Sequence, residues 1–133
     1  MEKVLKIGSA INNLHEVEVF LNSFFNEFNI SRKLYCKVYL AVNEAVNNAI
    51  QHGNKYNLNK FVLIEFQILS SCIEFKVQDE GDGFDFINID DPTNIENISK
   101  ESGRGIFIMN QYADAVIFDK NGTLVKLIFN KSD

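Results

Sequence analysis

The sequence predicts an α+β domain in which helices pack against one face of a mostly antiparallel sheet. Two periodicities support this prediction. Apolar residues first recur at spacings of three and four, which is typical of amphipathic helices, and later alternate with polar residues, which is typical of half-buried strands. The two patterns occupy separate stretches of the chain. We therefore expect one domain, residues 1–133, built as a two-layer α/β sandwich with a mixed, mostly antiparallel sheet.

The first half of the chain is predicted to hold a short strand, at residues 4–7, and two helices. Ser31 is a suitable N-cap for the second helix, and Gly53 is a natural stop for it. The apolar stripe of the first helix consists of Leu14, Val17, Leu21, Phe24 and Phe28. One face of the second helix carries Leu34, Val38, Ala41, Ala45 and Ala49.

The second half of the chain is predicted to hold four strands and one short helix. Residues 62–69 and 73–78 alternate in polarity and predict an antiparallel hairpin. A polar stretch follows at 79–104, and a segment of that length without regular structure is usually functional or mobile. The short helix is expected from about Gly105 to Tyr112. Strands at 115–119 and 123–129 close the chain, with the tight-turn signal Asn121-Gly122 between them.

Composition excludes several classes of protein. Apolar residues make up 46% of the chain and charged residues 23%, which are globular values. The net charge of −5 disfavours a broad electrostatic surface for nucleic acid. The longest apolar runs are only a few residues long, whereas a membrane span needs about 20. Cys36 and Cys72 lie far apart and predict neither a disulfide framework nor a zinc site, so we expect a cytoplasmic protein.

A first polar cluster is predicted on the second helix, where Glu44, Asn48 and His52 follow one another at steps of four residues. Such steps advance only about 40° around a helix, so the three side chains should share one face. A carboxylate and an amide oxygen suit a hard cation such as Mg²⁺. Taken alone, the cluster also fits a solvated helix face.

Two further clusters are rich in glycine. Asp79-Glu80-Gly81-Asp82-Gly83-Phe84 follows a predicted strand, where glycines allow a close approach of the backbone and a carboxylate can accept a hydrogen bond from an amine. Gly103-Arg104-Gly105 is predicted to open the short helix, where free N–H groups and the helix dipole favour phosphate. Taken alone, these clusters also fit an acidic turn and a loop-to-helix junction. The sequence has no GxxxxGK[ST] loop, no HExxH and no GxSxG.

Together, the clusters resemble the GHKL ATP-binding fold of gyrase, Hsp90, histidine kinases and MutL. The matching motifs are Glu-x-x-x-Asn-Ala-x-x-His at 44–52, Asp-x-Gly-x-Gly-Phe at 79–84, Gly-x-Gly at 103–105 and Gly-Thr at 122–123. The small size of the chain, Glu44 with His52, and the run GRGIFIM look more narrowly like the stand-alone anti-sigma-factor serine kinases of bacteria. The resemblance covers nearly the whole chain and implies the Bergerat type of sandwich.

The resemblance implies a catalytic and metal-binding role for the second helix. Asn48 would coordinate the Mg²⁺ that bridges the ATP phosphates. Glu44 would be the general base, or the carboxylate that orients the nucleophile. His52 matches a family position, but no role follows for it.

The resemblance also implies a nucleotide site. Asp79 would accept the adenine amino group, with Thr123 in support, and Gly81 and Gly83 would let the backbone approach the nucleotide. The phosphates would be held by Gly103, Arg104 and Gly105. Residues 87–102 would form a mobile lid.

The function that the resemblance implies is that of an ATP-dependent serine protein kinase and anti-sigma regulatory factor. It would bind a sigma factor, phosphorylate an antagonist protein with Mg-ATP, and possess no direct nucleic-acid or membrane contact. A homodimer is compatible with the sequence. The alternative is an ATP-gated protein-interaction module of the same fold without phosphotransfer.

Overall fold

The structure is a computed structural model that describes residues 2–83 and 100–131. Within these residues, five strands and three α-helices follow one another in the order β1, α1, α2, β2, β3, α3, β4, β5. The strands are β1 (Glu2–Gly8), β2 (Phe61–Ile68), β3 (Cys72–Gln78), β4 (Ala115–Asp119) and β5 (Leu124–Asn130). The helices are α1 (Leu14–Glu27), α2 (Arg32–Asn48) and α3 (Lys100–Tyr112). The predicted α+β sandwich is thereby confirmed.

The sheet has the strand order β1-β2-β3-β5-β4, and each pairing among the described strands is antiparallel. Register follows from the hydrophobic pattern, because alternate residues of the central strands face the helices. Phe66 pairs with Phe75, and Phe75 with Leu127, so that a row of large apolar side chains crosses the sheet. The opposite face of the sheet carries half-buried polar residues such as Glu74 and Lys126, which form an ion pair.

The core lies between this buried sheet face and the helices. The Phe24 ring of α1 packs against Phe66, with 3.7 Å between ring centroids, and both side chains are buried. Helix α2 contributes Val38, Val42 and Val46, which are fully buried. The polar face of α2 thus points away from the core.

Local signals in the sequence explain where the elements end. The Ser31 hydroxyl accepts a hydrogen bond from the Leu34 N–H at 3.2 Å, so the predicted N-cap is confirmed. Asn121 (φ 59°) and Gly122 (φ 91°) take the left-handed conformations that their tight turn requires. Helix α2 ends in a π-helical turn, Ala49–Gly53, which the Asn54 N–H closes by bonding to the Ala49 carbonyl at 2.8 Å.

One boundary differs from the prediction. Helix α3 begins at Lys100, so the expectation that Gly103-Arg104-Gly105 opens the helix is wrong. Each glycine costs about 1 kcal/mol inside a helix, but tertiary packing overrides such local preferences. Here α3 packs along α2, and Ile106 and Met109 are buried. Phe84 and the predicted lid up to residue 99 lie outside the described residues.

Within residues 2–83 and 100–131, no helix is both long and apolar enough to cross a membrane.

Candidate functional site

The polar face of α2 meets α3 and forms one end of the candidate site. Glu44 and Asn48 lie one turn apart on this face, and both are half-buried. The structure therefore brings them together as the spacing predicts. From these two positions, Asn48 as a metal ligand and Glu44 as a catalytic carboxylate could act on the same reacting group of a bound ligand.

Gly105 of α3 contacts Asn48 directly. A Cβ atom built on Gly105 would lie 2.7 Å from Asn48 Nδ2 and 3.1 Å from Oδ1. The absence of a side chain on Gly105 therefore makes room for the Asn48 amide between the two helices. Gly103 and Gly105 are the fourth and sixth residues of α3, whereas the N–H groups without a partner within a helix belong to the residues at its start.

Two opposing influences act on the pKa of the Glu44 carboxyl. Partial burial raises its pKa above the ordinary value, and the positive charge of Arg104 on α3 acts in the lowering direction. Arg104 itself is exposed. A carboxylate with a raised pKa is a better proton acceptor than one in open water, which suits a general base.

Asp79 lies where β3 ends and forms the other end of the site. Its carboxylate touches Gly53 at the end of α2, where a Cβ atom on Gly53 would collide with it. Its Oδ1 atom accepts a hydrogen bond from the Gly81 N–H at 2.8 Å. Burial raises the pKa of Asp79, while that hydrogen bond and the charge of Lys60 act in the lowering direction.

The glycines after Asp79 allow close backbone contacts. A Cβ atom on Gly81 would collide with the Gly53 carbonyl oxygen, and one on Gly83 (φ +82°) with the Asn121 carbonyl oxygen. The Asp79 N–H donates to the Thr123 carbonyl at 2.9 Å, so Thr123 is adjacent to Asp79 as expected. The Thr123 hydroxyl donates to the Lys120 carbonyl at 2.8 Å.

The two ends of the site are connected by the end of α2. Gly53 lies five positions after Asn48, at the other end of the π-helical turn. The site thus has two ends, the half-buried Asp79 carboxylate where β3 ends and the carboxylate–amide pair of α2 beside α3.

Comparison with known proteins decides the family. The sequence profile described as "Histidine kinase-like ATPase domain" matches residues 7–129. The chain belongs to this family. An ATPase domain implies ATP binding, which agrees with the nucleotide that the resemblance implied.

A solved structure gives the same fold. The fold of this histidine kinase-like ATPase domain is similar to that in the crystal structure of the RsbU and RsbW domains of Rv1364c from Mycobacterium tuberculosis, with a TM-score of 0.68 and 11% identity. The match covers 98% of this chain and 31% of that chain. No curated protein matches the sequence.

The residues of the site fit a nucleotide with Mg²⁺. No described residue donates a hydrogen bond to Asp79 Oδ2, which leaves an acceptor for an amino group. Among the described residues, no group of three or more His, Cys, Asp or Glu side chains is placed to hold a metal ion. The fit therefore rests on the mode in which Mg²⁺ takes one or two protein ligands and completes its shell with phosphate oxygens and water.

Sequence reasoning missed a buried polar network behind Asp79. Asn54, Ser9 and Glu80 are joined there by hydrogen bonds that cross long distances in sequence. Local periodicity carries no signal for such contacts. The only sequence signal was an asparagine placed directly after the helix stop at Gly53.

His52 lies in the π-helical turn rather than in regular α-helix. A π turn rotates the chain less per residue, so the common face expected for Glu44, Asn48 and His52 does not continue regularly to His52. The His52 Nε2 atom is buried and bonds to none of the described residues.

Proposed function

We propose that this histidine kinase-like ATPase domain is an ATP-dependent serine/threonine protein kinase that acts as an anti-sigma regulatory factor. The observation that supports this most strongly is the placement of the Glu44 carboxylate one helical turn from the Asn48 amide, beside α3. Phosphoryl transfer requires positioning and charge neutralisation more than covalent chemistry by the protein. A base next to a metal ligand meets both requirements.

The α2 end of the site would carry out the transfer. Bound Mg²⁺ would neutralise phosphate charge, with Asn48 as its protein ligand. Glu44 would accept the proton of a serine hydroxyl on the substrate protein. Arg104, next to Gly103 and Gly105, and the free N–H groups at the start of α3 would neutralise further phosphate charge.

The β3 end of the site would select the nucleotide base. Asp79 would accept a hydrogen bond from the adenine amino group, and its partial burial strengthens that bond. Gly81 and Gly83 would keep the adjoining backbone close to the ligand. Thr123 would support Asp79 through the backbone contact that the two residues share.

The partners in this proposal are proteins. The kinase would bind a sigma factor in the cytoplasm and phosphorylate an antagonist protein on serine. A chain of net charge −5 has little capacity for a broad electrostatic contact with nucleic acid. A homodimer would be compatible with this function.

The kinase activity can be tested with labelled ATP, Mg²⁺ and the candidate antagonist protein from the same genome. We expect label on a serine of the antagonist, and loss of label with Glu44→Gln. Glu65→Gln is the matched control, because Glu65 lies on the face of the sheet opposite the helices, and this variant should retain activity. Absence of label with the wild-type chain, despite ATP binding, would contradict the kinase proposal.

A second candidate is an ATP-gated interaction module without phosphotransfer. The contact between Gly105 and Asn48 favours it, because a nucleotide held at Asn48 would bias the position of α3. In this case, sigma-factor binding would depend on ATP in both wild type and Glu44→Gln, and no label would be transferred. In the kinase case, Glu44→Gln would abolish transfer from a wild type that performs it.

A further inference from the structure

We infer that Asn54 is a positioning residue for adenine recognition: its buried side chain holds the turn that carries the Asp79 carboxylate. The inference rests on the proposed function, in which Asp79 accepts the adenine amino group. Asn54 itself is too deeply buried to contact the nucleotide, at 2% exposure. It would act only through its neighbours.

The Asn54 amide bonds to three separate segments of the chain. Its Nδ2 donates to Ser9 Oγ at 2.9 Å and to the Phe61 carbonyl at 3.0 Å. Its Oδ1 accepts a hydrogen bond from the Glu80 N–H at 2.7 Å. Both donor hydrogens and the oxygen therefore have partners, which fixes the orientation of the side chain.

These bonds lie directly beside the contact between Gly53 and Asp79, at the proposed adenine end of the site. Gly53 touches the Asp79 carboxylate, and the next residues, Asn54 and Glu80, are hydrogen-bonded to each other. The end of α2 and the turn after β3 are thus joined at two consecutive positions. Displacement of Glu80 would carry Asp79 with it, because the two are covalently adjacent.

Two additional hydrogen bonds brace the same network. The Ser9 hydroxyl, fully buried, donates to the Lys60 carbonyl at 2.6 Å. The Glu80 carboxylate accepts a hydrogen bond from the Phe61 N–H at 2.5 Å. The start of β2 therefore holds Glu80 from one side while Asn54 holds it from the other.

Placement matters for recognition because hydrogen bonds weaken steeply with distance and angle. A turn that is free to shift would leave Asp79 near the adenine without a well-aligned bond. The expected consequence is a selective loss of base discrimination, not a uniform loss of nucleotide binding. Base discrimination is a readout that a purely structural role for Asn54 would not move.

The test compares ATP with inosine triphosphate, which carries a carbonyl oxygen in place of the adenine amino group. Calorimetric titration with Mg²⁺ should show wild type preferring ATP by about 10-fold or more, the range for a hydrogen bond to a charged group. Asn54→Ala should lower the ATP-to-inosine preference to about 3-fold or less, with the affinity for inosine triphosphate nearly unchanged. Asn57→Ala is the matched control, since Asn57 Oδ1 accepts only from the Asn59 N–H in its own loop, and it should keep the full preference.

Two outcomes would overturn the inference. One is a folded Asn54→Ala protein with the wild-type preference for ATP. The other, if Asn54→Ala does not fold, is an unchanged preference in Ser9→Ala, which removes the two hydrogen bonds of the Ser9 hydroxyl and leaves the bond between Asn54 and Glu80 in place. A wild-type chain that binds both nucleotides equally would instead contradict adenine recognition by Asp79, and so the proposed function.

Discussion

Gly105 on α3 lies against the amide of Asn48 on α2, so closely that a Cβ atom on the glycine would stand 2.7 Å from Asn48 Nδ2. This relationship connects a glycine from the phosphate motif to the proposed metal ligand. It also explains why a glycine is tolerated inside a helix at this position. The geometry of Asn48 therefore depends on the surface that α3 presents to it.

Gly105→Ala is expected to weaken Mg-ATP binding by about 10-fold while changing stability little. The added methyl group would displace the Asn48 amide, which is the end of a side chain and can move. The helix propensity of alanine, about 1 kcal/mol better than that of glycine, would offset the remaining crowding. Calorimetric ATP titration with and without Mg²⁺, together with thermal unfolding, measures both effects.

A double-mutant cycle provides the control for this prediction. Asn48→Ala should remove the part of the ATP affinity that depends on Mg²⁺. Gly105→Ala should then have no further effect in that background, because the displaced amide is gone. Additive losses would show that Gly105 acts independently of Asn48.

Gly81→Ala, unlike Gly105→Ala, is expected to destabilise the folded chain, by about 1–3 kcal/mol. Its Cβ atom would collide with the backbone carbonyl oxygen of Gly53, which cannot rotate away as a side chain does. Urea unfolding measures the loss. Gly8→Ala is the matched control, because its Cβ would meet only the Asn13 side-chain amide at 3.1 Å, and it should cost less than about 1 kcal/mol. Equal stability of the two variants would contradict the close contact at Gly81.

The elements that were predicted correctly are those encoded by local patterns. Ser31 caps α2 and the Asn121-Gly122 turn separates β4 from β5 because each depends on residues next to it in sequence. The start of α3 at Lys100 was missed because Gly103 and Gly105 disfavour a helix locally, and packing on α2 outweighs that preference.

The residues of the candidate site also fall into those that local patterns predict and those that only the tertiary fold brings together. Glu44 and Asn48 share one helix face, so their proximity followed from spacing alone. The contribution of Asn54 could not be predicted, because its partners Ser9 and Glu80 lie 45 and 26 residues away in sequence. Only the folded chain brings them together.

Glu44→Gln is expected to lower the rate of phosphotransfer by roughly 10²–10⁴-fold, the usual contribution of a general base. ATP affinity should change little, because the amide has nearly the same shape. A rate measurement at saturating ATP separates the two effects. Loss of ATP affinity with an unchanged rate would contradict the role of Glu44 as a base.

The acid limb of the pH–rate profile should respond to Arg104. Partial burial raises the pKa of Glu44, and the Arg104 charge acts against this rise. Arg104→Ala should therefore shift the acid limb of kcat to higher pH, because the base is then protonated more readily. Arg104→Lys keeps the charge and should leave the limb nearly in place. A shift to lower pH in Arg104→Ala would contradict the assignment of Glu44 as the base.

Asp79→Asn is expected to increase the free energy of unfolding, by an amount that grows as the pH rises. Burial raises the pKa of the folded-state carboxyl above the ordinary value of about 4, so the folded chain binds more protons than the unfolded chain between the two values. Stability of the wild type then falls as pH rises through that window, and the amide variant escapes this fall. Urea unfolding of both proteins from pH 4 to pH 8 measures how much larger the free energy of unfolding of Asp79→Asn is than that of the wild type. This difference should rise with pH and then level off. Asp82→Asn, an exposed aspartate of the same turn, is the matched control and should change the free energy of unfolding by less than about 0.5 kcal/mol. A gain that shrank with rising pH would mean that hydrogen bonding to Gly81 and the charge of Lys60 outweigh desolvation at Asp79.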